Sequence, residues 1–207
     1  MRSVTFSTGT VTPATVVKAA CILMVAQRSA CKDVVIGELV RGRNCSVPDI
    51  DQVSAVCANV IPVRVKILQG MTARDLLDAT EANQLTCMPF ENLGTEDIIR
   101  HAAPWPQDAC LELTVNYVRR MTDSEGGRDT VGSDAQGYWD LVRIDQPHSF
   151  EKGLHLEVHP VDRDLMLGLT FCDEVVSHTE AEILLGDIEG ALRVLLGDPR
   201  TVVQPAI

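Results

Sequence analysis

Val34-Val35-Ile36-Gly37-Glu38-Leu39-Val40-Arg41-Gly42-Arg43 is the stretch on which the fold turns. Its β-branched run predicts a buried strand over 34–40, stopped by Gly42. Two more segments follow it in fixed order, Val56-Cys57-Ala58-Asn59-Val60-Ile61-Pro62-Val63-Arg64-Val65 and Met88-Pro89-Phe90-Glu91-Asn92-Leu93. The second predicts a strand over 60–68. Pro62 has no amide hydrogen to give a ladder, so it marks an edge strand or a strand start.

Elements on either side can be read from their caps. Thr12-Pro13 opens a helix over 13–29, with Thr12 as cap and Pro13 at the first helical position. That helix is apolar on nearly all sides, the pattern of a helix buried between layers. Thr72 and Asp75 form a capping-box variant for a second helix, whose apolar face carries Leu76, Leu77 and Ala79. Leu111, Leu113, Val115 and Tyr117 alternate with polar residues, as in a half-buried strand. The stretch 122–137 is rich in Gly, Ser and Asp and reads as a loop. Strand character returns over 138–144. Strands over 154–158 and 165–171 flank a hairpin turn at 160–164. Thr179 is the expected cap of a last helix that runs to about 196, where Gly197 and Pro199 end it. The order predicts a mixed α/β fold: a largely antiparallel sheet with flanking helices, in one unit over 1–207.

Composition narrows the function classes. The 207 residues are 45% hydrophobic but only 4% aromatic, which predicts a core of Val, Leu, Ile and Ala. A net charge of -11 argues against a nucleic-acid surface and against an anionic membrane. The longest apolar run, 19–26, is too short to span a bilayer, which takes about 20 residues. No secretory leader pattern is visible at the start, and the expected location is the cytoplasm. Seven cysteines, an odd number with no Cys-x-x-Cys, read as free thiols in a reducing compartment rather than as zinc ligands.

Catalytic patterns are sparse. His155 and His159 have the i, i+4 spacing of a helical metal site. They fall on a strand, however, where that spacing is about 13 Å, so they cannot share one metal locally. His101, His148 and His178 lack patterned partners. There is no Gly-x-Ser-x-Gly elbow, and the glycines of 37–42 lack the endings of a phosphate loop.

The three opening segments resemble the condensation domains of nonribosomal peptide synthetases. In that family an Ala- and Leu-rich helix precedes a strand ending in Gly-Arg, here 18–25 and 34–43. A "vGxFvNtlPvR" segment is matched by Ser54-Ala55-Val56-Cys57-Ala58-Asn59-Val60-Ile61-Pro62-Val63-Arg64, with Ala55 for the glycine and Cys57 for the aromatic. An "hqdvPFExL" segment is matched by Asn83-Gln84-Leu85-Thr86-Cys87-Met88-Pro89-Phe90-Glu91-Asn92-Leu93. Val115-Asn116-Tyr117 resembles an "fNyq" strand, and the closing hairpin and helix fit the family's end.

The resemblance implies one lobe of the chloramphenicol acetyltransferase-like fold. Family members have two such lobes, with the active site between them and a His-His-x-x-x-Asp-Gly motif on the first. No two histidines are adjacent here. By this resemblance the chain looks like the C-terminal lobe only, and the expectation is a truncated domain that is inactive alone. Two alternatives stay open: a component completed in trans by a histidine-bearing first lobe, or a carrier-protein-binding module without chemistry. The implied reaction is amide or ester formation between carrier-bound thioesters in secondary-metabolite biosynthesis. Phosphopantetheine arms of carrier proteins are the only implied cofactor, with no metal. The implied partners are a carrier protein and a first lobe. No residue is expected to be catalytic. Asn59, Gly37 and Arg43 are the expected substrate-side residues, and Arg64 and Glu91 are expected to hold strands or loops. A lobe alone would also expose its interlobe face.

Overall fold

The computed structural model describes residues 2–5, 11–44, 47–94, 97–98, 101, 111–118, 153–161 and 164–204. Six strands and three long helices are formed within them: β1 (Arg2–Thr5), α1 (Pro13–Ser29), β2 (Asp33–Val40), β3 (Asn59–Lys66), α2 (Ala73–Cys87), β4 (Leu113–Tyr117), β5 (Leu154–Val161), β6 (Asp164–Thr170) and α3 (His178–Leu196). One sheet runs in the order β1-β6-β5-β4-β2-β3. The β1/β6, β5/β6 and β2/β3 pairs are antiparallel, while β2/β4 and β4/β5 are parallel. The sheet is thus mixed, with its parallel part at the centre. β1 was not legible in the sequence. The expected loop at 122–137 and strand at 138–144 lie outside the described residues, as does the tip of the β5/β6 hairpin.

One sheet face is apolar. Val34 pairs with Val65 and Ile36 with Val63, and across the other half Val158 pairs with Leu167. All six belong to the core, together with residues of all three helices. Contacts of α2 with β3, α1 with β2 and α3 with β6 lay the helices side by side over this face, with α1 in the middle. Eleven of the seventeen residues of α1 are buried, so its apolar sides meet the sheet and both neighbouring helices. Burial of this kind contributes about 25 cal/mol per Å² and is the main source of stability.

Local chemistry fixes the helix ends. Thr12 caps α1 by accepting from the Thr15 amide at 3.2 Å. Thr72 and Asp75 form the capping box of α2. The cap of α3 is Ser177 rather than Thr179, because Ser177 is extended and Glu180 sits where a box partner must be. Two amides at the start of α2 are met from the far end of the chain. Ala73 donates to the Thr201 carbonyl at 2.8 Å and Arg74 to that of Pro199 at 3.0 Å. Val203 then tucks into the core, 2% exposed.

Candidate functional site: three motifs at one end of the sheet

The segments 34–43, 56–65 and 88–93 converge where β2 ends, β3 begins and α2 runs out. Gly42 forms the first junction. Its φ of +62 is one that only glycine adopts without strain, and a Cβ there would fall 1.8 Å from the Cys57 carbonyl oxygen. Arg43 follows. Its guanidinium donates to the carbonyls of Ile50, Val53 (3.0 Å) and Ala55 (3.1 Å), gathering the 50–55 loop around one planar head. Asn44 Nδ2 then reaches Glu91 Oε2 at 2.8 Å.

Asn59 makes the second junction. Its Nδ2 donates to the carbonyls of Glu91 (2.9 Å) and Leu93 (2.6 Å), and its Oδ1 accepts from the Val60 amide at 2.9 Å. The primary amide suits this task, because it alone offers two donors and an acceptor in one plane. Glu91 is 4% exposed although it carries a carboxyl group. Around this polar knot the same segments present apolar side chains to solvent: Val56 is 93% exposed, Phe90 56% and Leu93 48%. Clustered exposure of this kind is uncommon on a surface with nothing to bind.

Beneath the knot lies a buried ion pair. Lys18 of α1 is 1% exposed. Its Nζ donates to Glu38 Oε1 at 2.6 Å and to Gln84 Oε1 at 2.7 Å. Glu38 Oε2 is buried with no hydrogen-bond partner among the described residues. Burial, with the nearby Glu38 carboxylate, pushes the Cys87 thiol up from its ordinary range, against the opposing pull of Lys18. Sequence reading missed this cluster. The signal was present as a lone lysine inside an otherwise apolar helical run.

Gly37 belongs to the opposite face, on which none of the three described helices packs. A Cβ there would meet Thr114 Oγ1 at 2.7 Å and Val60 Cγ1 at 3.1 Å. The strand registers align Gly37 with Thr114 and Thr114 with His155. His155, Glu157 and His159 alternate along β5 and so share this face. His159 Nε2 lies 3.7 Å from Glu157 Oε2. Burial holds the His155 imidazole below its ordinary pKa, partly offset by Glu157, which favours the neutral ring. Arg64 makes a bidentate pair with Asp33 at 2.8 and 2.7 Å across β2 and β3. Asn59 and Arg43 therefore lie at one end of the sheet, and Gly37 stands apart on the other face, beside the buried Thr114. No cluster of metal-ligating side chains occurs among the described residues, and no helix among them is long and apolar enough to cross a membrane.

No protein-family model matches the chain. Nonribosomal peptide synthetase 13 of Aspergillus fumigatus is 30% identical to it over 190 residues, which is 90% of this chain and 8% of that protein. Nonribosomal peptide synthetase 1 of the same species is 42% identical over 105 residues, 51% of this chain and 2% of that protein. The first condensation domain of the calcium-dependent antibiotic synthetase, solved with a substrate analogue, superposes with a TM-score of 0.68 at 15% identity. That match covers 92% of this chain and 40% of the other. The chain thus spans a small part of the synthetases it matches and less than half of the condensation domain. The chain's sequence relatives are thus nonribosomal peptide synthetases and its structural neighbours are condensation domains, with a coverage that fits a single lobe of the chloramphenicol acetyltransferase-like fold.

Proposed function

We propose that the chain supplies one wall of a condensation site and makes no amide or ester bond alone. The observation that carries this reading is the convergence of the three family motifs on a polar knot whose hydrogen bonds are mostly spent on backbone carbonyls. Such a knot sets shape. It leaves no base and nucleophile poised to react, and the five histidines of the sequence include no adjacent pair. A histidine-bearing first lobe, on this or another polypeptide, would bring the proton-transfer chemistry.

In that site a carrier-bound amine or hydroxyl attacks the carbonyl of a carrier-bound thioester. The new C–N or C–O bond forms, the C–S bond breaks, and the proton leaves with the departing thiol. Tethering both reactants on phosphopantetheine arms replaces much of the entropy cost of a bimolecular encounter. Its geometry supports three roles for this chain. Arg43 and Asn59 hold the 50–55 loop and the 88–93 turn as a rigid lip. Gly37 makes room for the Thr114 hydroxyl, which packs where a Cβ would stand. Val56, Phe90 and Leu93 form the docking contact. Cytoplasmic location follows from a partnership with carrier proteins.

The test is reconstitution. The purified chain is mixed with a His-His-x-x-x-Asp-Gly first lobe and two loaded carrier proteins, and products are followed by mass spectrometry. Product is expected only with both lobes present. Turnover by the chain alone would sink the reading. The exposed Val56, Phe90 and Leu93 also favour a second reading, carrier binding without chemistry. A titration with phosphopantetheine-loaded carrier separates the two: binding without any gain of product on adding the first lobe supports the second.

A further inference from the structure

We propose that Lys18 is a positioning residue, the buried joint that sets the spacing between the two chain segments carrying the docking lip. The inference rests on the reading of that lip given above. The Lys18 ammonium bonds to neither the 42–44 turn nor the 88–93 turn. It holds instead the residue four positions before each: Glu38 before Gly42 on β2, and Gln84 before Met88 on α2. One ammonium from α1 thus clamps the strand and the helix that deliver the two halves of the knot. The closing bonds then form downstream, Asn44 to Glu91 at 2.8 Å and Asn59 to the Glu91 and Leu93 carbonyls.

Stability alone does not account for the choice of residues. A buried ion pair is commonly no better for stability than an apolar pair of similar volume. Here one Glu38 carboxylate oxygen is moreover left without a partner among the described residues. What the charged trio adds over an apolar plug is direction. A lysine ammonium with two short bonds fixes the separation of Glu38 and Gln84, whereas methyl groups would let α2 slide over the sheet. The position of α2 in turn decides where the Met88–Phe90 turn emerges.

Hydrogen exchange followed by NMR tests this on the whole chain without any partner. In Lys18→Met/Glu38→Leu, thermal stability is expected to stay near that of the parent chain. The amides of Glu91 and Leu93 are expected to exchange about tenfold faster, as local opening of the lip becomes easier. The amides of Ile36 and Val63, in the ladder of β2 and β3, should keep their rates. Should the double variant not fold, Gln84→Met decides, since it leaves the ion pair intact. It is expected to speed Glu91 and Leu93 in the same way. A folded variant of either kind with parental exchange at Glu91 and Leu93 overturns the proposal. Because the readout needs no second lobe or carrier, an exchange signature without any docking would overturn the docking reading and leave the joint standing.

Discussion

Asn59 at the start of β3 reaches across 32 residues of chain to the carbonyl of Glu91, with Nδ2 2.9 Å from the oxygen. The second hydrogen of the same nitrogen goes to Leu93. Asn59→Ala removes both donors and is expected to cost about 2 kcal/mol, roughly one for each net hydrogen bond. Asn59→Asp should cost more, because a carboxylate would face two carbonyl oxygens. Urea unfolding of the three chains measures the order; a stability for Asn59→Asp equal to the parent's would contradict it.

Gly42 and Gly70 separate two reasons for needing glycine. Both have positive φ, +62 and +77, but only at Gly42 is there an obstacle, the Cys57 carbonyl, while at Gly70 a Cβ meets nothing within 4 Å. Gly70→Ala is expected to cost about 1 kcal/mol of backbone strain. Gly42→Ala should cost at least about 3 kcal/mol, at the upper end of single substitutions, since the 50–57 loop must move. Equal melting temperatures for the two variants would refute the contrast.

Stability should fall in acid in two steps. His155 is held below its ordinary pKa by burial. The unfolded chain therefore takes up this proton first, and its contribution is present above about pH 6.5 and lost as pH falls through the folded value. The second step comes from Asp33, Asp75 and Glu180, lowered respectively by the Arg64 hydrogen bond, by the Thr72 hydroxyl and by the Ser177 amide. Their contribution is present above the usual carboxylate range, about pH 4, and is lost below it. Denaturation midpoints from pH 8 to pH 3 show the steps, and His155→Phe should remove the first while leaving the second.

Thiol reactivity should follow burial. Cys31 is exposed, whereas Cys21 lies at the core with its thiol pKa pushed up to about 12 by burial. Under native conditions a maleimide should label Cys31 early and Cys21 only on unfolding. Peptide mapping by mass spectrometry reads the order; early labelling of Cys21 would show that α1 is not packed as described.

The elements whose signals are local were legible in the sequence. Thr12, Pro13, Thr72 and Asp75 announce helix starts by chemistry that acts within one turn, and 34–40 announces a strand by its β-branched run. Ser177 escaped because two hydroxyl residues stand at 177 and 179, and only backbone conformation distinguishes the cap from a helical neighbour. β1 escaped because its four residues gain strand character only by pairing with β6, more than 150 residues later. The motifs gave the ancestry of the knot, but not that Asn59 spends its amide on Glu91 and Leu93. Nor did periodicity reveal Lys18, whose partners Glu38 and Gln84 are 20 and 66 residues away.

The β3 edge carries a consequence for self-association. Pro62 offers no amide hydrogen there, the Arg64 carbonyl already accepts from Asn83 Nδ2 at 3.1 Å, and the Arg64 and Lys66 side chains are exposed and charged. A strand arriving from another copy of the chain would find a missing donor, an occupied acceptor and a charged trio of Arg64, Lys66 and Asp33, features by which natural sheets refuse to grow. Fibril-like stacking through β3 is thereby disfavoured, even though the lip beside it keeps apolar side chains in water.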